Sequence, residues 1–194
     1  MLQHKKIILA SKSPRRQTLL KELNVEFEIR LKEVDEIYPE NLRGGEVPVF
    51  LSKLKGEAFK NELKDDEVLV TADTIVWLND SILGKPLDRN DAIAILKALS
   101  GNMHRVITGV TIQQKDSAYT FSETTEVYFK KLSEGEITYY IDTFKPFDKA
   151  GAYGIQEWIG YVGVERINGC FYNVMGLPLF RLHEEFLRLG VVSL

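Results

Sequence analysis

The sequence predicts a fold of the α/β class, and three observations lead to that class. Residues 7–10 and 68–72 are short apolar runs with the length of buried strands. Segments with the hydrophobic period of a helix, such as residues 89–99, alternate with these runs along the chain. The chain has 194 residues, which is enough to bury a core without a disulfide or a structural metal. We therefore expect a single domain over residues 1–194.

The charge and hydropathy of the chain argue against two classes of partner. There are 25 basic and 28 acidic residues, a formal net charge of −3, whereas a bulk nucleic-acid binder normally has a large basic excess. No apolar run approaches the roughly 18 residues of a membrane span, and the N-terminus shows no secretory signal pattern. Cys170 is the only cysteine, which fits a reducing compartment. We expect a cytoplasmic protein that binds neither nucleic acid nor membrane.

Residues 7–16 predict a strand, a tight turn and the start of a helix that extends to residue 23. Ser13 has the features of an N-cap, and a proline follows it at the first helical position. Arg15 and Arg16 fall in the first turn, where cations oppose the helix dipole. Together with Ser11 and the free N–H groups of the helix start, these arginines predict a site for a phosphate group. The alternative interpretation is a solvated basic turn with an ordinary cap.

Two acidic positions stand in contrasting contexts. Glu36 belongs to an acidic stretch at residues 33–36, for which a solvated loop is the simplest interpretation. Asp73 directly follows the apolar run at 68–72, and ligands bind at such strand ends in open α/β sheets. A carboxylate there is costly unless it is paired, hydrogen-bonded or bound to a metal. We favour a functional Asp73 over a buried Asx turn.

The remaining elements follow from local signals. Cap residues mark two helices, one at residues 89–99 behind Asp88 and one that runs from the capping box of Ser133 and Glu136 to about residue 143. The other predicted elements, in chain order, are a strand at 25–31, a helix from about 48, a hairpin turn at 79–80, paired strands at 104–113 and 120–130, a strand at 161–167, a loop at 169–177 and a final helix opened by Pro178.

The densest glycine region, residues 148–156, ends in Gln156. Glycines permit a ligand to approach the backbone closely, and a plain loop explains them equally well. The three histidines are scattered along the sequence, so no zinc-type cluster is expected.

The polar residues near the ends of these elements divide by charge. The cations are Arg15, Arg16, Lys55 and Lys85, and the anions are Glu36 and Asp73. A site for a nucleoside triphosphate needs both kinds, because cations and helix N–H groups bind phosphate while carboxylates hold Mg²⁺ against phosphate oxygens. No Ser-His-Asp or Cys-His nucleophile is apparent, so attack by an activated water is the simpler chemistry.

Six motifs in the correct order, spanning nearly the whole chain, resemble the Maf family of nucleotide pyrophosphatases. They are Leu9-Ala10-Ser11-x-Ser13-Pro14-Arg15-Arg16; Thr71-Ala72-Asp73-Thr74; Gly84-Lys85-Pro86; Ser100-Gly101 with Thr108-Gly109-Val110; the run Asp148-Lys149-Ala150-Gly151-Ala152-Tyr153-Gly154-Ile155-Gln156; and Asn173 with Gly176-Leu177-Pro178. One such motif is weak, whereas six in register are specific.

The resemblance implies a fold of the inosine-triphosphate-pyrophosphatase type, with an elongated, twisted mixed sheet, flanking helices and two lobes around a cleft. It implies hydrolysis of a nucleoside triphosphate between the α and β phosphates with Mg²⁺ or Mn²⁺, and it makes a homodimer an expectation. Asp73 matches the family's proposed proton acceptor, which is either a base or a metal ligand. Arg15, Thr74 and Gln156 match positions linked to substrate choice, and Glu36 and Lys55 match metal- or phosphate-facing positions.

The motifs also resemble one branch of the family more than another. The 7-methyl-GTP branch has an extra residue before the arginines, Ser-Asp-Gln in place of Ala-Asp-Thr, and no Gly-Ala-Tyr-Gly-Ile-Gln run, whereas this chain has the dTTP/UTP pattern at all three places. The Gln156 amide both donates and accepts hydrogen bonds, as the edge of thymine or uracil requires. We expect a dTTP/UTP pyrophosphatase that also accepts modified pyrimidine triphosphates. The alternatives are a nucleotide-binding regulator of cell division and a pyrophosphatase for another triphosphate such as 7-methyl-GTP.

Overall fold

A computed structural model describes all 194 residues, and contacts divide them into two compact units. Unit 1 comprises Met1–Asp73, Thr108–Glu123 and Gly176–Leu194, and unit 2 comprises Thr74–Ile107 and Thr124–Met175. The expectation of one domain with two lobes around a cleft stays a prediction. None of the helices has both the length and the apolar character that a membrane span requires.

Nine strands and seven α-helices follow one another along the chain. In order they are β1 (Leu2–Gln3), β2 (Lys6–Leu9), α1 (Pro14–Glu22), β3 (Phe27–Ile29), α2 (Glu46–Glu57), β4 (Glu67–Leu78), β5 (Ser81–Leu83), α3 (Arg89–Leu99), β6 (Met103–Gln113), β7 (Ala118–Phe129), α4 (Glu134–Phe144), α5 (Trp158–Gly163), β8 (Val164–Asn168), α6 (Phe171–Val174), α7 (Leu179–Arg188) and β9 (Val192–Ser193). A single 3₁₀ turn, Ala150–Ala152, precedes α5.

The main sheet has seven strands in the order β3-β2-β4-β6-β7-β8, with β5 paired to β4. Strand β2 pairs in parallel with β3 and β4, whereas β4 with β5 and β7 with β8 are antiparallel. This mixed sheet with its helices confirms the predicted α/β class. A small antiparallel sheet of β1 and β9, which the sequence did not reveal, joins the two ends of the chain.

Each unit has its own apolar core. In unit 1, strands β2 and β4 are apolar and almost fully buried, as expected for parallel strands covered on both faces. There Ile8 and Leu69 pack against Phe59 and Leu63, which follow α2. In unit 2 a larger core forms between α3, α4 and the strands, and Tyr140 is its largest fully buried side chain.

Local capping signals predicted the helix starts well. Ser13, Asp88 and Ser133 each accept a backbone N–H three residues ahead, and Ser133 with Glu136 forms the complete capping box. The hairpin turn at 79–80 is also confirmed, with both residues at the positive φ angles of a type I′ turn. These features depend on contacts within a few residues, which a sequence displays directly.

Four predictions about the elements need correction. Helix α2 begins at Glu46, before the predicted position 48. Strand β3 is only three residues long and lies at the edge of the sheet; Ile29 is 44% exposed, and Leu31, which lies beyond the strand, is 46% exposed. Asp73 does not end a strand, since β4 continues to residue 78.

The fourth correction concerns residues 161–177. Residues 161–163 belong to helix α5 instead of the predicted strand, because Ile159 and Gly163 bury one helical face and Gly160 lies against the carbonyl of Ile155. The predicted loop at 169–177 contains the short helix α6. There the buried Asn173 Nδ2 donates to the carbonyl of Val106 and to Thr125 Oγ1, at 3.0 Å each. Cys170 is half-buried.

Candidate active site

The turn between β2 and α1 in unit 1 is built by hydroxyl groups. Ser13 Oγ accepts the backbone N–H of Arg16 at 3.5 Å, and the N–H of Ser13 donates to the buried Ser11 Oγ at 3.2 Å. Gln17 Nε2 donates to the Ser11 carbonyl at 3.1 Å. Ser11 therefore lies against the first turn of α1, as the motif predicted.

Arg16 ties this turn to two other motifs of unit 1. Its Nη1 donates to the carbonyl of Ala72 at 2.8 Å and its Nε donates to the carbonyl of Gly176, also at 2.8 Å. Burial lowers the pKa of Arg16, while the charges of Asp73 and Glu36 raise it and the charge of Arg15 lowers it. The guanidinium thus fixes the backbone next to Asp73, a role that the prediction of phosphate binding did not include.

Lys55 brings together the two carboxylates that the sequence singled out. Its ammonium lies 2.6 Å from Asp73 Oδ1 and 2.9 Å from Glu36 Oε1. The Lys55 and Asp73 side chains are largely buried, whereas the Glu36 side chain is about half exposed. The interpretation of residues 33–36 as a merely solvated loop is therefore wrong for Glu36, since this loop carries a carboxylate to a buried lysine.

Buried hydroxyl groups set the position of Lys55 relative to Asp73. Thr71 Oγ1 donates to the carbonyl of Ser52 at 2.6 Å, and Ser52 Oγ lies 3.0 Å from Thr111 Oγ1. Thr71 is two residues before Asp73, on the same face of β4, and Ser52 is three residues before Lys55, one helical turn earlier in α2. The Thr71–Ser52 hydrogen bond therefore joins the same strand and helix, β4 and α2, next to the Asp73–Lys55 ion pair. Sequence reasoning missed this bond, because the motif that begins at Thr71 does not reveal its partner Ser52, which belongs to no motif.

Two glycines allow α2 to lie close to β6 in unit 1. A Cβ at Gly109 would come within 2.3 Å of the carbonyl oxygen of Pro48, and a Cβ at Gly56 within 2.6 Å of Gln113 Oε1. Real Cβ contacts are longer, so a side chain at Gly109 would meet the backbone of α2 and push the helix away from the strand, whereas a side chain at Gly56 would require the end of the flexible Gln113 side chain to move. The Thr108-Gly109 motif therefore acts through packing of the helix that carries Lys55.

Unit 2 contains the other three predicted residues. Thr74 is only partly buried and follows Asp73 directly, so the two side chains alternate across β4. Lys85 is exposed in the loop after β5. The carbonyl of its neighbour Gly84 accepts the N–H of Gly151 at 3.0 Å, which places the Lys85 loop beside the glycine-rich segment.

Gln156 ends this segment with a polar atom that has no protein partner. Its side-chain oxygen Oε1 is buried and accepts no hydrogen bond within the protein. The backbone turns here, with the N–H of Glu157 donating to the carbonyl of Gly154 at 3.0 Å. Upstream, Gly151 adopts a φ of 71° and lies against Val76, where a Cβ would come within 2.9 Å. A buried acceptor without a partner is a feature expected of a ligand-binding side chain.

The structure thus sorts the predicted residues into two groups. Unit 1 holds six of them around the β2–α1 turn and Lys55, namely Ser11, Arg15, Arg16, Glu36, Lys55 and Asp73. Unit 2 holds Thr74, Lys85 and Gln156. Sequence reasoning missed the side chains that hold the backbone around Gln156. Tyr161 donates to the carbonyl of Gln156, Tyr140 accepts the N–H of Gly154, and Lys149 pairs with Glu157. Only Lys149 lies in a recognised motif, and the other three residues gave no sequence signal.

The family model described as Maf-like protein matches residues 6–189 of the chain. The chain belongs to the Maf family. The match covers all the motifs from Ser11 to Pro178, so it includes both the Lys55 group of unit 1 and the Gln156 segment of unit 2. Maf membership therefore confirms the resemblance that those motifs predicted.

Among curated Maf relatives, a protein of Parabacteroides distasonis named dTTP/UTP pyrophosphatase is 54% identical over 95% of this chain and 96% of its own length. A protein of Flavobacterium johnsoniae with the same name is 50% identical over 94% of each chain. Among solved structures, the Staphylococcus aureus Ham1 protein aligns with a TM-score of 0.51 over 96% of this chain and 100% of that chain, at 14% identity. The last likeness concerns the fold alone.

Proposed function

We propose that this Maf protein hydrolyses dTTP and UTP between the α and β phosphates, giving the nucleoside monophosphate and pyrophosphate. The observation that carries the proposal is the Lys55 ammonium, held within hydrogen-bond distance of both Asp73 and Glu36 in unit 1. Two carboxylates and a lysine beside an arginine-bearing helix start suit a triphosphate with a bound cation. The names of the curated relatives support the same reaction class.

A divalent cation fits the residues of unit 1. Asp73 and Glu36 reach the same nitrogen, so both lie close enough to one point to share an ion. No set of three or more His, Cys, Asp or Glu side chains in the chain is arranged to hold a metal. Mg²⁺ commonly uses one or two carboxylates and takes its other ligands from phosphate oxygens and water. Mg²⁺ or Mn²⁺ bound there would neutralise charge on the triphosphate.

The residues of the chain have distinct proposed tasks in this reaction. Asp73 is a carboxylate that either accepts the proton of the attacking water or holds the cation. Lys55 orients Asp73 and also offers a positive charge to the phosphates. Arg15, Ser11 and the N-terminus of α1 bind phosphate oxygens, and Arg16 holds the backbone at Ala72 and so supports Asp73. Lys85 of unit 2 is a further cation for the triphosphate.

Selection of the base is proposed to depend on Gln156. The buried Oε1 without a partner would accept the N3–H of thymine or uracil, while the amide Nε2 donates to O4. Leaving a buried acceptor unpaired is costly, so ligands without a matching donor are rejected. Thr74 and Arg15 are the other proposed determinants of substrate choice. Modified uridine and thymidine triphosphates that keep this edge should also be substrates.

Pyrophosphate release from a panel of triphosphates, with and without Mg²⁺ or Mn²⁺, tests the proposal. We expect turnover of dTTP and UTP with the cation, and little turnover of CTP, GTP or 7-methyl-GTP. Tight nucleotide binding without turnover would support the alternative of a regulator of cell division, and a preference for 7-methyl-GTP would support the other branch of the family. Inactivity on every triphosphate would remove the enzyme proposal.

Two further expectations belong to the same proposal. Because dTTP and UTP are consumed where nucleic acids are made, the enzyme would work in the cytoplasm. A homodimer is expected from the resemblance to the family, and sedimentation analysis of the purified protein would show a mass of about twice 22.2 kDa. Sedimentation as a single chain would remove that expectation without affecting the proposed reaction.

A further inference from the structure

The backbone of Gln156 is held from outside by an exposed tyrosine. Tyr161, in the short helix α5, donates its hydroxyl hydrogen to the carbonyl of Gln156 at 2.8 Å. The Tyr161 residue is 76% exposed, so burial of apolar surface explains little of its position. The main structural role of this side chain is therefore its hydrogen bond to the residue that carries the unpartnered amide oxygen.

The residue after Gln156 is fixed as well. Glu157 Oε2 accepts the hydroxyl of Tyr140, and Glu157 Oε1 lies 3.1 Å from Lys149 Nζ. The same Tyr140 hydroxyl accepts the backbone N–H of Gly154 at 3.0 Å. Tyr140 is fully buried, so the turn from residue 154 to residue 157 is attached to the core of unit 2 at both ends.

The attachment of this turn matters because a glutamine amide both donates and accepts hydrogen bonds and can therefore pair with more than one base. With Oε1 accepting and Nε2 donating it pairs with the N3–H and O4 of uracil, yet when turned over by about 180° about its last side-chain bond it pairs with the N4 amino group and N3 of cytosine. The residue type alone therefore does not separate the two bases. Separation requires an amide whose position and orientation are both fixed before the base arrives, so that the wrong edge meets donor against donor.

We propose that Tyr161 is a positioning residue that fixes Gln156 and thereby sets the preference for uracil and thymine over cytosine. The inference rests on the proposed function, since it assigns a role to a residue behind the proposed base-reading amide. Tyr161 needs no contact with the substrate for this role. It acts on the carbonyl of Gln156, while Glu157 and Tyr140 hold the other side of the turn.

The test replaces Tyr161 by phenylalanine, which removes one hydroxyl from an exposed ring. We expect the Tyr161→Phe protein to show kcat/KM for UTP and dTTP reduced about three- to tenfold, as loss of one hydrogen bond predicts. Its kcat/KM for CTP should be unchanged or higher, so the ratio of UTP to CTP falls. The matched control is Tyr139→Phe, because Tyr139 is 51% exposed and contacts Trp158 through its ring. This control should keep the wild-type ratio.

Two further readouts separate positioning from a general structural effect. If Gln156 binds the base and not the reacting phosphates, Tyr161→Phe raises KM for UTP and leaves kcat within about twofold. In a Gln156→Ala background, Tyr161→Phe should not change the UTP to CTP ratio further, since the two residues act through one contact. A thermal unfolding curve of Tyr161→Phe that matches the wild type shows that the fold is intact.

An unchanged UTP to CTP ratio in Tyr161→Phe overturns the inference, and so does a Tyr161→Phe effect that persists in full on the Gln156→Ala background. An equal loss for every triphosphate overturns it too, because that result indicates a structural effect. Failure of the proposed function is distinguishable, because the wild-type protein itself would then hydrolyse neither dTTP nor UTP.

Discussion

Unit 1 and unit 2 differ in how they hold their functional side chains. In unit 1 the central group is ionic, with Lys55 between Asp73 and Glu36, and Arg16 bonded to backbone carbonyls. In unit 2 the turn at Gln156 is held mainly through the hydroxyls of Tyr140 and Tyr161. Charged groups suit the phosphates and a bound cation, which are the same for every nucleoside triphosphate. Neutral donors and acceptors suit the base, because bases differ in the donors and acceptors along their edges.

The same difference appears in the buried titratable groups. In unit 1, Glu67 is buried with the guanidinium of Arg30, which lowers the pKa of Glu67 to about 2. In unit 2, His104 is buried against Phe129 with Nε2 2.7 Å from the hydroxyl of Tyr153, and burial lowers the pKa of His104 to about 4. In these two examples unit 1 stabilises a buried charge by pairing and unit 2 keeps a buried histidine neutral, while the buried Lys149 of unit 2 is paired with Glu157.

The largest expected effect tests the ionic group of unit 1. The change Asp73→Asn keeps the shape of the side chain and removes the charge that accepts a proton or binds a cation. We expect turnover of dTTP to fall about a thousandfold, within the range for loss of a general base, while the circular dichroism spectrum is unchanged. The control Asp116→Asn makes the same change in an exposed turn and should retain activity. Turnover close to wild type in Asp73→Asn would remove Asp73 from the mechanism.

The second prediction concerns acid and unit 2. Because the folded pKa of His104 lies below its ordinary value of 6.5, the unfolded chain binds more protons between pH 6.5 and pH 4. The free energy of unfolding should therefore fall as the pH is lowered through this window, by up to about 3 kcal/mol. Urea unfolding at several pH values measures the slope. The slope should become shallower in His104→Gln, and an equal slope in that variant would contradict the assignment.

The third prediction applies the same reasoning to unit 1 at lower pH. The folded pKa of Glu67 lies below its ordinary value of 4.5, so its stabilising effect is complete above pH 4.5 and is lost as the pH falls toward 2. We expect a loss of about 2 kcal/mol, since Arg30 stays partly exposed and solvent screens the pair. The change Glu67→Gln should make this slope shallower, since other carboxylates such as Glu136 also have a lowered pKa, and it should leave the window between pH 6.5 and pH 4 as in the wild type.

Tryptophan fluorescence would show which unit unfolds first in the two pH windows, the one of His104 and the one of Glu67. Both tryptophans of the chain, Trp77 and Trp158, lie in unit 2. Their emission therefore reports mainly on unit 2, whereas circular dichroism reports on both units. Coincident transitions by the two probes would show that the units unfold together. An earlier fluorescence change on acidification would show that unit 2 opens first.

The last of these predictions separates the two neighbouring arginines of unit 1. Lysine cannot reproduce the two diverging hydrogen bonds of Arg16, so Arg16→Lys should lower the free energy of unfolding by about 2 kcal/mol. Arg15→Lys should lower it less and act mainly on KM for the triphosphate. Urea unfolding and steady-state kinetics measure both variants. Equal losses of stability in both would contradict the supporting role of Arg16.

Prediction from the sequence worked where the deciding contacts are local. Ser13, Asp88 and Ser133 predict the starts of their helices, because the side chain of a cap bonds to the backbone three residues further on. Apolar runs predict β2 and β4, because both faces of those strands are buried. Prediction from the sequence was wrong at residues 161–163, which have the composition of a strand but are helical. Contacts of Gly160 and Ile159 outweigh such weak local preferences.

The sequence by itself determined the class of the fold, the helix caps and the list of candidate residues, because each depends on composition or on neighbours along the chain. Only the tertiary structure decided that Lys55 meets both Asp73 and Glu36, which are 18 and 19 positions away from it on either side. It also decided that Arg16 bonds to backbone carbonyls and that Tyr161 holds the carbonyl of Gln156. Such pairings arise when separate elements pack together, and no local pattern in the chain encodes them.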